Sequence, residues 1–269
     1  IYSAAIKDDD IEMQKAKELH IPTVERADFL GLITKAFKNT ICVSGTHGKS
    51  TTTSMISVCF LEACKDPSIQ VGAELKQING NYRVGNSEYF IIEACEYVES
   101  FLKFFPKTEV ILNIDNDHLD YFKDLDHIIT AFAKYVRLLP DDGLLVLNAD
   151  DELQVNYKLK NDCKIIWIGI DNKDADVRAL DIKTSNKGTT FNVVFKGDKK
   201  KYSFTTKLLG YNNIYNILAS LALSKEFGLS IEQMQKAVLN VRSVEHRLEL
   251  REAGNITYID DSYNSNPVG

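Results

Sequence analysis

The chain has 269 residues, 44% hydrophobic and 26% charged, with 32 Lys and Arg against 38 Asp and Glu for a net charge of -6. This is the balance of an ordinary soluble globular protein of one large or two smaller domains, and it excludes extended disorder. The acidic excess argues against a nucleic-acid surface or an anionic membrane as partner, and no run approaches the roughly 18–20 apolar residues of a membrane span. Cys42, Cys59, Cys64, Cys95 and Cys163 are odd in number and form no Cys-x-x-Cys pair. Neither a disulfide framework nor a structural zinc site is therefore expected, and a reducing, cytoplasmic location fits.

In chain order, the pattern predicts a short opening strand, a charged helix over residues 10–19 and a second helix over 27–37. The chain lacks an initiating Met, and its last residues follow a strand-like run without a capping element, so both ends are expected to be cuts through a longer protein. Residues 40–44 read as a buried strand. Residues 50–64 then place Met55, Ile56, Cys59, Phe60 and Ala63 on one helical face. Further apolar runs at 89–92, 110–112, 144–147 and 165–168 have strand length, and a helix is expected over 128–139. Their continuous rather than alternating apolar character predicts strands covered on both faces, as in a parallel α/β sheet. Between 177 and 206 the rhythm becomes β-rich alternation, with turn signals at Asn186-Lys187-Gly188 and Gly197-Asp198, which predicts a small antiparallel addition to that sheet. Lys199-Lys200-Lys201 reads as a solvated turn. Two helices follow over 214–227 and 231–239, the second opened by a capping box at Ser230 and Gln233, and strands near 248–251 and 256–259 close the chain.

Gly45-Thr46-His47-Gly48-Lys49-Ser50 lies between the strand at 40–44 and the helix that follows. A glycine-rich turn in that position leaves backbone N–H groups pointing outward at the positive end of a helix dipole, which favours bound phosphate. Lys49 would reach the terminal phosphates, and Ser50 would give its hydroxyl to magnesium. The first glycine of the longer phosphate-loop pattern falls on Val43, so only the short form G-x-x-G-K-S is present. That form also arises as an ordinary turn, and the strand-to-helix context is what points to phosphate. Glu93, at the end of the strand at 89–92, supplies a hard oxygen for a magnesium ion, and strand C-terminal ends are where α/β sheets place such groups. The next strand runs into an Asp-rich loop holding His118, a candidate ligand for a second metal or else a surface residue. Asp141-Asp142 before Gly143 reads as a turn.

Taken together, Gly45-Thr46-His47-Gly48-Lys49-Ser50-Thr51-Thr52-Thr53, Glu93-Ala94-Cys95-Glu96-Tyr97 and Asn113-Ile114-Asp115-Asn116-Asp117-His118-Leu119-Asp120-Tyr121 resemble the Mur ligases of peptidoglycan synthesis, and within them the branch that adds L-alanine to UDP-N-acetylmuramate. The resemblance implies a P-loop central domain with a mostly parallel sheet at 39–252, preceded at 1–38 by the end of a UDP-substrate domain and followed at 253–269 by the start of a third domain. It implies ATP and Mg2+ as cofactors, with catalytic roles for Lys49, Glu93, His118 and Arg247. Gly45, Thr46, His47, Gly48, Lys49, Ser50, Thr51, Asn213, Asn216, Arg247 and Asp261 would surround the nucleotide; Ser50 and Glu93 would hold one magnesium, and His118 would serve the second. The implied partners are small molecules: UDP-N-acetylmuramate or its peptide, with an amino acid or dipeptide. Asn212 departs from the histidine usual at its position. Val244-Glu245-His246-Arg247-Leu248-Glu249-Leu250 and Asp260-Asp261-Ser262-Tyr263-Asn264-Ser265-Asn266-Pro267 look more like the branch that adds D-alanyl-D-alanine, which stays open as the alternative. A nucleotide-dependent regulator is a further alternative, but a guanine-reading Asn-Lys-x-Asp sequence is absent. The folylpolyglutamate type of ligase shares the loop scheme without the Gly-Thr-His form.

Overall fold

The computed structural model describes residues 1–156, 162–185 and 188–263, so the first two residues of the Asn186-Lys187-Gly188 turn and the end of the last motif lie outside the described residues. Helices α1 (Ile11–Glu18) and α2 (Arg26–Thr34) come first. Asp10 opens α1 by accepting the N–H groups of Glu12 and Met13, and Glu25 does the same for Ala27 in α2, which satisfies donors that a helix start leaves unpaired. In place of the expected opening strand there is one isolated bridge, Tyr2 to Glu25.

The sheet is built from β1 (Asn39–Ser44), β2 (Ser68–Leu75), β3 (Gly80–Arg83), β4 (Tyr89–Glu93), β5 (Thr108–Ile111), β6 (Leu144–Asn148), β7 (Lys164–Gly169), β8 (Val177–Ser185), β9 (Gly188–Phe195) and β10 (Tyr202–Thr206). Their order is β10-β9-β8-β7-β6-β5-β1-β4-β2-β3. Pairing is parallel from β8 across to β2 and antiparallel at both ends, through β8-β9-β10 and β2-β3. The antiparallel addition at 177–206 is as expected from sequence. The β2-β3 pair is an addition to that expectation, because Gln70, Gly72 and Glu74 break the apolar run that marked the other strands.

Period-two alternation sorts each central strand between two cores. Ile41, Val43, Ile91, Val110 and Val146 face one of them, and Cys42, Phe90, Ile92, Ile111 and Leu145 face the other. This is why the strands read as continuous apolar runs. The first core is closed by α3 (Lys49–Glu62), α6 (Tyr211–Glu226) and α7 (Ile231–Asn240), the second mainly by α4 (Leu125–Val136). Helix α3 is not half-exposed, as its predicted face implied. Ser50 and every residue from Thr52 to Phe60 are buried, because the sheet lies on one side and α6 and α7 on the others. Two of its hydroxyls are turned onto its own backbone: those of Thr53 and Ser57 donate to the carbonyls of Lys49 and Thr53. A short helix α5 (Glu152–Asn156) follows β6. The Ser230–Gln233 capping box opens α7 as expected. Strands β11 (Glu249–Ala253) and β12 (Ile256–Asp260) form a separate antiparallel hairpin, so the boundary expected after residue 252 falls inside a strand.

One carboxyl has no place in this packing. Glu109, in β5 between Cys42 of β1 and Leu145 of β6, is completely buried, and neither of its oxygens has a partner. Burial pushes its pKa well above the usual carboxylate range. In the unfolded chain it ionises near its ordinary pKa, so it costs stability increasingly as pH rises through that value toward the folded one. Glu109→Leu should therefore stabilise the fold by about 1–3 kcal/mol near neutral pH and by less near pH 4, as measured by denaturant unfolding at the two pH values.

Candidate active site

At the C-terminal end of β1 the chain turns through residues 45–48 and enters α3. Gly48 has φ 86°, and a Cβ there would sit 2.5 Å from Oδ1 of Asn216, so two independent constraints require glycine. The turn is clamped from the loop after β5. Asn113 accepts the N–H of Thr46 with its carbonyl (3.1 Å) and that of His47 with its side-chain oxygen (2.7 Å), while its amide donates to His47 O (3.1 Å). The Thr46 hydroxyl accepts the N–H of Asp115 at 2.9 Å. Two loop N–H groups that a bare phosphate cradle would offer are thus already used, and the outward donors are those of the first turn of α3.

Lys49 folds back over this turn. Its ammonium donates to the carbonyls of Gly45 (2.7 Å) and Thr46 (3.1 Å) and to Glu96 Oε1 (2.9 Å), with side-chain exposure of 13% for Lys49 and 3% for Glu96. Burial alone would pull its pKa down; Glu96, with Cys95 and Glu93 beyond it, more than offsets this and leaves it above the ordinary lysine value. The Ser50 hydroxyl donates to Glu93 Oε1 at 3.1 Å, and Glu93 Oε2 accepts the N–H of Gly72 at 2.8 Å. A Cβ on Gly72 would meet that same oxygen at 2.8 Å, so the bare backbone of β2 sets where Glu93 points.

His118, at φ 55°, packs its ring 4.9 Å from that of Tyr97 and brings Nε2 to 3.7 Å from Glu96 Oε1. Of the three expected metal ligands, Ser50 and Glu93 lie together, as the resemblance implies, and His118 stands apart, facing Glu96. At the start of α6, Asn213 donates to Leu209 O (2.6 Å) and Asn216 donates to Asn213 Oδ1 (3.1 Å), which turns Asn216 Oδ1 toward Gly48. Arg247 enters from the other side, its guanidinium 4.4 Å from the centre of the Tyr263 ring and its Nε buried without a partner. Asp261 Oδ1 accepts the N–H of Leu248 at 3.1 Å. Thr46 to Thr51, Glu93, His118, Asn213, Asn216, Arg247 and Asp261 all line one cleft of about 220 Å³. Gly45 stands behind it, against the backbone of Leu112 and Asn113.

Glu96, Gly72 and Asn113 received no role from sequence. Glu96 and Asn113 lie inside the motifs quoted above, but their partners come from other elements; Gly72 is a lone glycine in a weakly apolar strand. Behind the cleft, Asp150 accepts the N–H groups of Ile170, Asp171 and Asn172 and the Tyr215 hydroxyl. Burial works against its charge, yet these donors hold its pKa below the usual range and tie the turn after β7 to α6.

Residues 43–224, from inside β1 to the end of α6, match the family model of the Mur ligase middle domain. The chain belongs to the Mur ligase family. It is 44% identical over 267 residues to a UDP-N-acetylmuramate--L-alanine ligase of Acetivibrio thermocellus, which covers 99% of this chain and 57% of that protein. Its fold superposes on the crystal structure of the UDP-N-acetylmuramate-alanine ligase MurC from Thermotoga maritima with a TM-score of 0.83 at 28% identity, covering 96% of this chain and 59% of that one. MurF from Acinetobacter baumannii shares the fold at a TM-score of 0.76 and 20% identity, over 90% of this chain and 55% of that one. The chain thus spans a little over half the length of these Mur ligases. Among the described residues, no helix is long and apolar enough to cross a membrane.

Asn113 provides the test of the clamp. Asn113→Ala removes two hydrogen bonds to His47 and leaves part-buried backbone groups unpaired, so it should cost about 1–3 kcal/mol in chemical denaturation without changing far-UV circular dichroism.

Proposed function

We propose that this chain is the ATP-binding centre of a ligase that joins L-alanine to the carboxyl group of UDP-N-acetylmuramate. The observation that carries the proposal is the convergence of Lys49, the Ser50–Glu93 pair, His118 and Arg247 on one cleft at the C-terminal ends of parallel strands, with Glu96 buried against Lys49 and His118. Cationic and metal-ligating groups gathered at such an edge suit a polyphosphate. The names of the relatives support the choice of substrates. The Acetivibrio thermocellus alignment takes in 99% of the chain, so it reaches into the C-terminal stretch that resembles the D-alanyl-D-alanine branch.

The donor set fits divalent cations. The Ser50 hydroxyl and the Glu93 carboxylate are hard oxygens in contact, and Glu96 has a buried oxygen, Oε2, without a partner, beside His118. Ser50 and Glu93 would hold one Mg2+, and His118 with Glu96 the other. Bound there, the ions would neutralise charge on the transferred phosphoryl group.

The residues of the chain would then act as follows. The N–H groups at the start of α3 and the Lys49 ammonium bind the β and γ phosphates, and Arg247 meets the γ phosphate from the opposite wall. Asn213 and Asn216 fix the floor beside Gly48, and Asp261 stands where it could orient the nucleotide. A carboxylate oxygen of the acceptor attacks the γ phosphorus as the bond to ADP breaks, giving an acyl phosphate. The amine of alanine attacks the acyl carbon, phosphate leaves, and the amine loses a proton to complete the amide. Positioning and charge neutralisation carry the rate. We also propose that residues 1–38 belong to a preceding substrate domain, and that the third domain begins ahead of β11 rather than within it.

Two measurements test this. The full-length protein with ATP and Mg2+ should release phosphate with UDP-N-acetylmuramate and L-alanine, and not with the UDP-tripeptide and D-alanyl-D-alanine; the reverse pattern would overturn the substrate assignment. Lys49→Ala should keep the fold by circular dichroism and lower phosphate release by about 10²–10³-fold or more.

A further inference from the structure

An acid buried against the lining of a cleft suited to phosphate needs a reason, and the following inference rests on the function proposed above. Glu96 is only 2% exposed. It opens a turn in which Val98 (φ 49°) and Glu99 (φ 53°) are both left-handed, a conformation costly for a β-branched residue. The turn is held regardless: Phe101 donates its N–H to Cys95 O (3.0 Å) and stacks its fully buried ring on Tyr135 at 4.3 Å. The fold thus keeps the carboxylate in place at a conformational cost.

The two acids of this motif differ in how they are occupied. Both oxygens of Glu93 accept hydrogen bonds, from Ser50 and Gly72. Glu96 has Oε1 shared between Lys49 (2.9 Å) and His118 (3.7 Å) and Oε2 buried without a partner. The remaining hydrogen bonds of Lys49 run to its own loop, at Gly45 and Thr46, so the ammonium is retracted from the cleft. A polyphosphate has to draw Lys49 forward. Doing so leaves Glu96 buried, unpaired and facing an anion, a state that costs several times what an exposed charge would. A divalent cation on the His118 side relieves both problems at once.

We propose that Glu96 is a positioning residue that couples nucleotide binding to divalent cation binding: it holds Lys49 retracted while phosphate is absent, and pairs with the cation beside His118 once Lys49 has moved to phosphate. Nucleotide without metal has to break the Lys49–Glu96 pair with nothing in exchange, and therefore binds weakly. Nucleotide with metal replaces that pair with another.

The experiment is calorimetric titration of the full-length protein with ADP, in EDTA and in Mg2+, for the wild type, Glu96→Gln and Glu96→Asp. The amide of Glu96→Gln keeps the shape and removes the charge that retains Lys49. It should tighten binding in EDTA by about tenfold and shrink the Mg2+ dependence of the Kd by about the same factor, whereas Glu96→Asp should retain most of that dependence. An unchanged Mg2+ dependence in Glu96→Gln, or equal weakening in both buffers as a merely structural residue would give, overturns the proposal. Should Glu96→Gln fail to fold, Lys49→Met carries the test. Freed of its ion-pair partner, Glu96 should bind Mn2+ in the absence of nucleotide at least several-fold more tightly than in the wild type, as read by electron paramagnetic resonance; an unchanged Mn2+ affinity overturns the proposal. A wild type that binds ADP in neither buffer would instead remove the proposed function itself.

Discussion

A lysine ammonium almost out of water has to be surrounded by oxygen, and the site is arranged around meeting that need for Lys49. Two of its partners are carbonyls of the loop that precedes it, and the third is a carboxylate 47 residues further along the chain. The loop can present those carbonyls because Gly48 takes a left-handed turn that no side chain would fit, and because Asn113 holds the adjacent amides from the next strand. The carboxylate can reach because β4 lies beside β1 in the sheet and releases the chain toward the same edge. Remove any of these and the charge loses either its geometry or its neutrality.

The strand order explains why so many groups meet there. β1 has β5 on one side and β4 on the other, so the loops leaving all three converge at one carboxyl edge. Connections diverge on either side of such a strand, which leaves a crevice rather than a packed surface. α6 brings Asn213 and Asn216 from above, and the segment leading into the β11–β12 hairpin brings Arg247 from a part of the chain outside the sheet altogether. Five stretches far apart in sequence, with Asp261 from beyond β12, thus contribute to a single pocket.

The central strands and α3 were legible because their residues obey local rules. Ile41, Cys42 and Val43 alternate between two buried faces and so leave an uninterrupted apolar run, and Gly48-Lys49-Ser50 marks a helix start with few alternatives. β2 and β3 were not legible: near the sheet edge the demand for apolar residues falls, and Gln70, Gly72 and Glu74 give no periodic signal. The site residues that carried motif chemistry, such as Ser50, Glu93 and His118, could be named from sequence, and the cleft does gather them. That Glu96 takes Lys49 could not. Glu93 and Glu96 are three residues apart and chemically alike, and only the path of β4 and the strained turn after it send one to Ser50 and the other to Lys49. In the same way, the role of Gly72 exists only because the Glu93 carboxylate passes over it.

The enclosure of α3 bears on how the site can respond to what enters it. A helix packed on the sheet beneath and on α6 and α7 around has no free side along which to slide or tilt, and the Thr53 and Ser57 hydroxyls are spent on its own backbone. The loop that it anchors is pinned by Asn113 to the loop that follows β5. In the proposed function, the sheet and α3 therefore form a fixed frame for the phosphates. Adjustment is left to side chains that swing, Lys49 foremost, and to the segment carrying Arg247, which is joined to this frame through the backbone around His246 and Leu248, both left-handed. One wall of the pocket is thus built into the sheet and its helices, and the other hangs on a segment outside the sheet, so the width of the pocket is set by how that segment is seated.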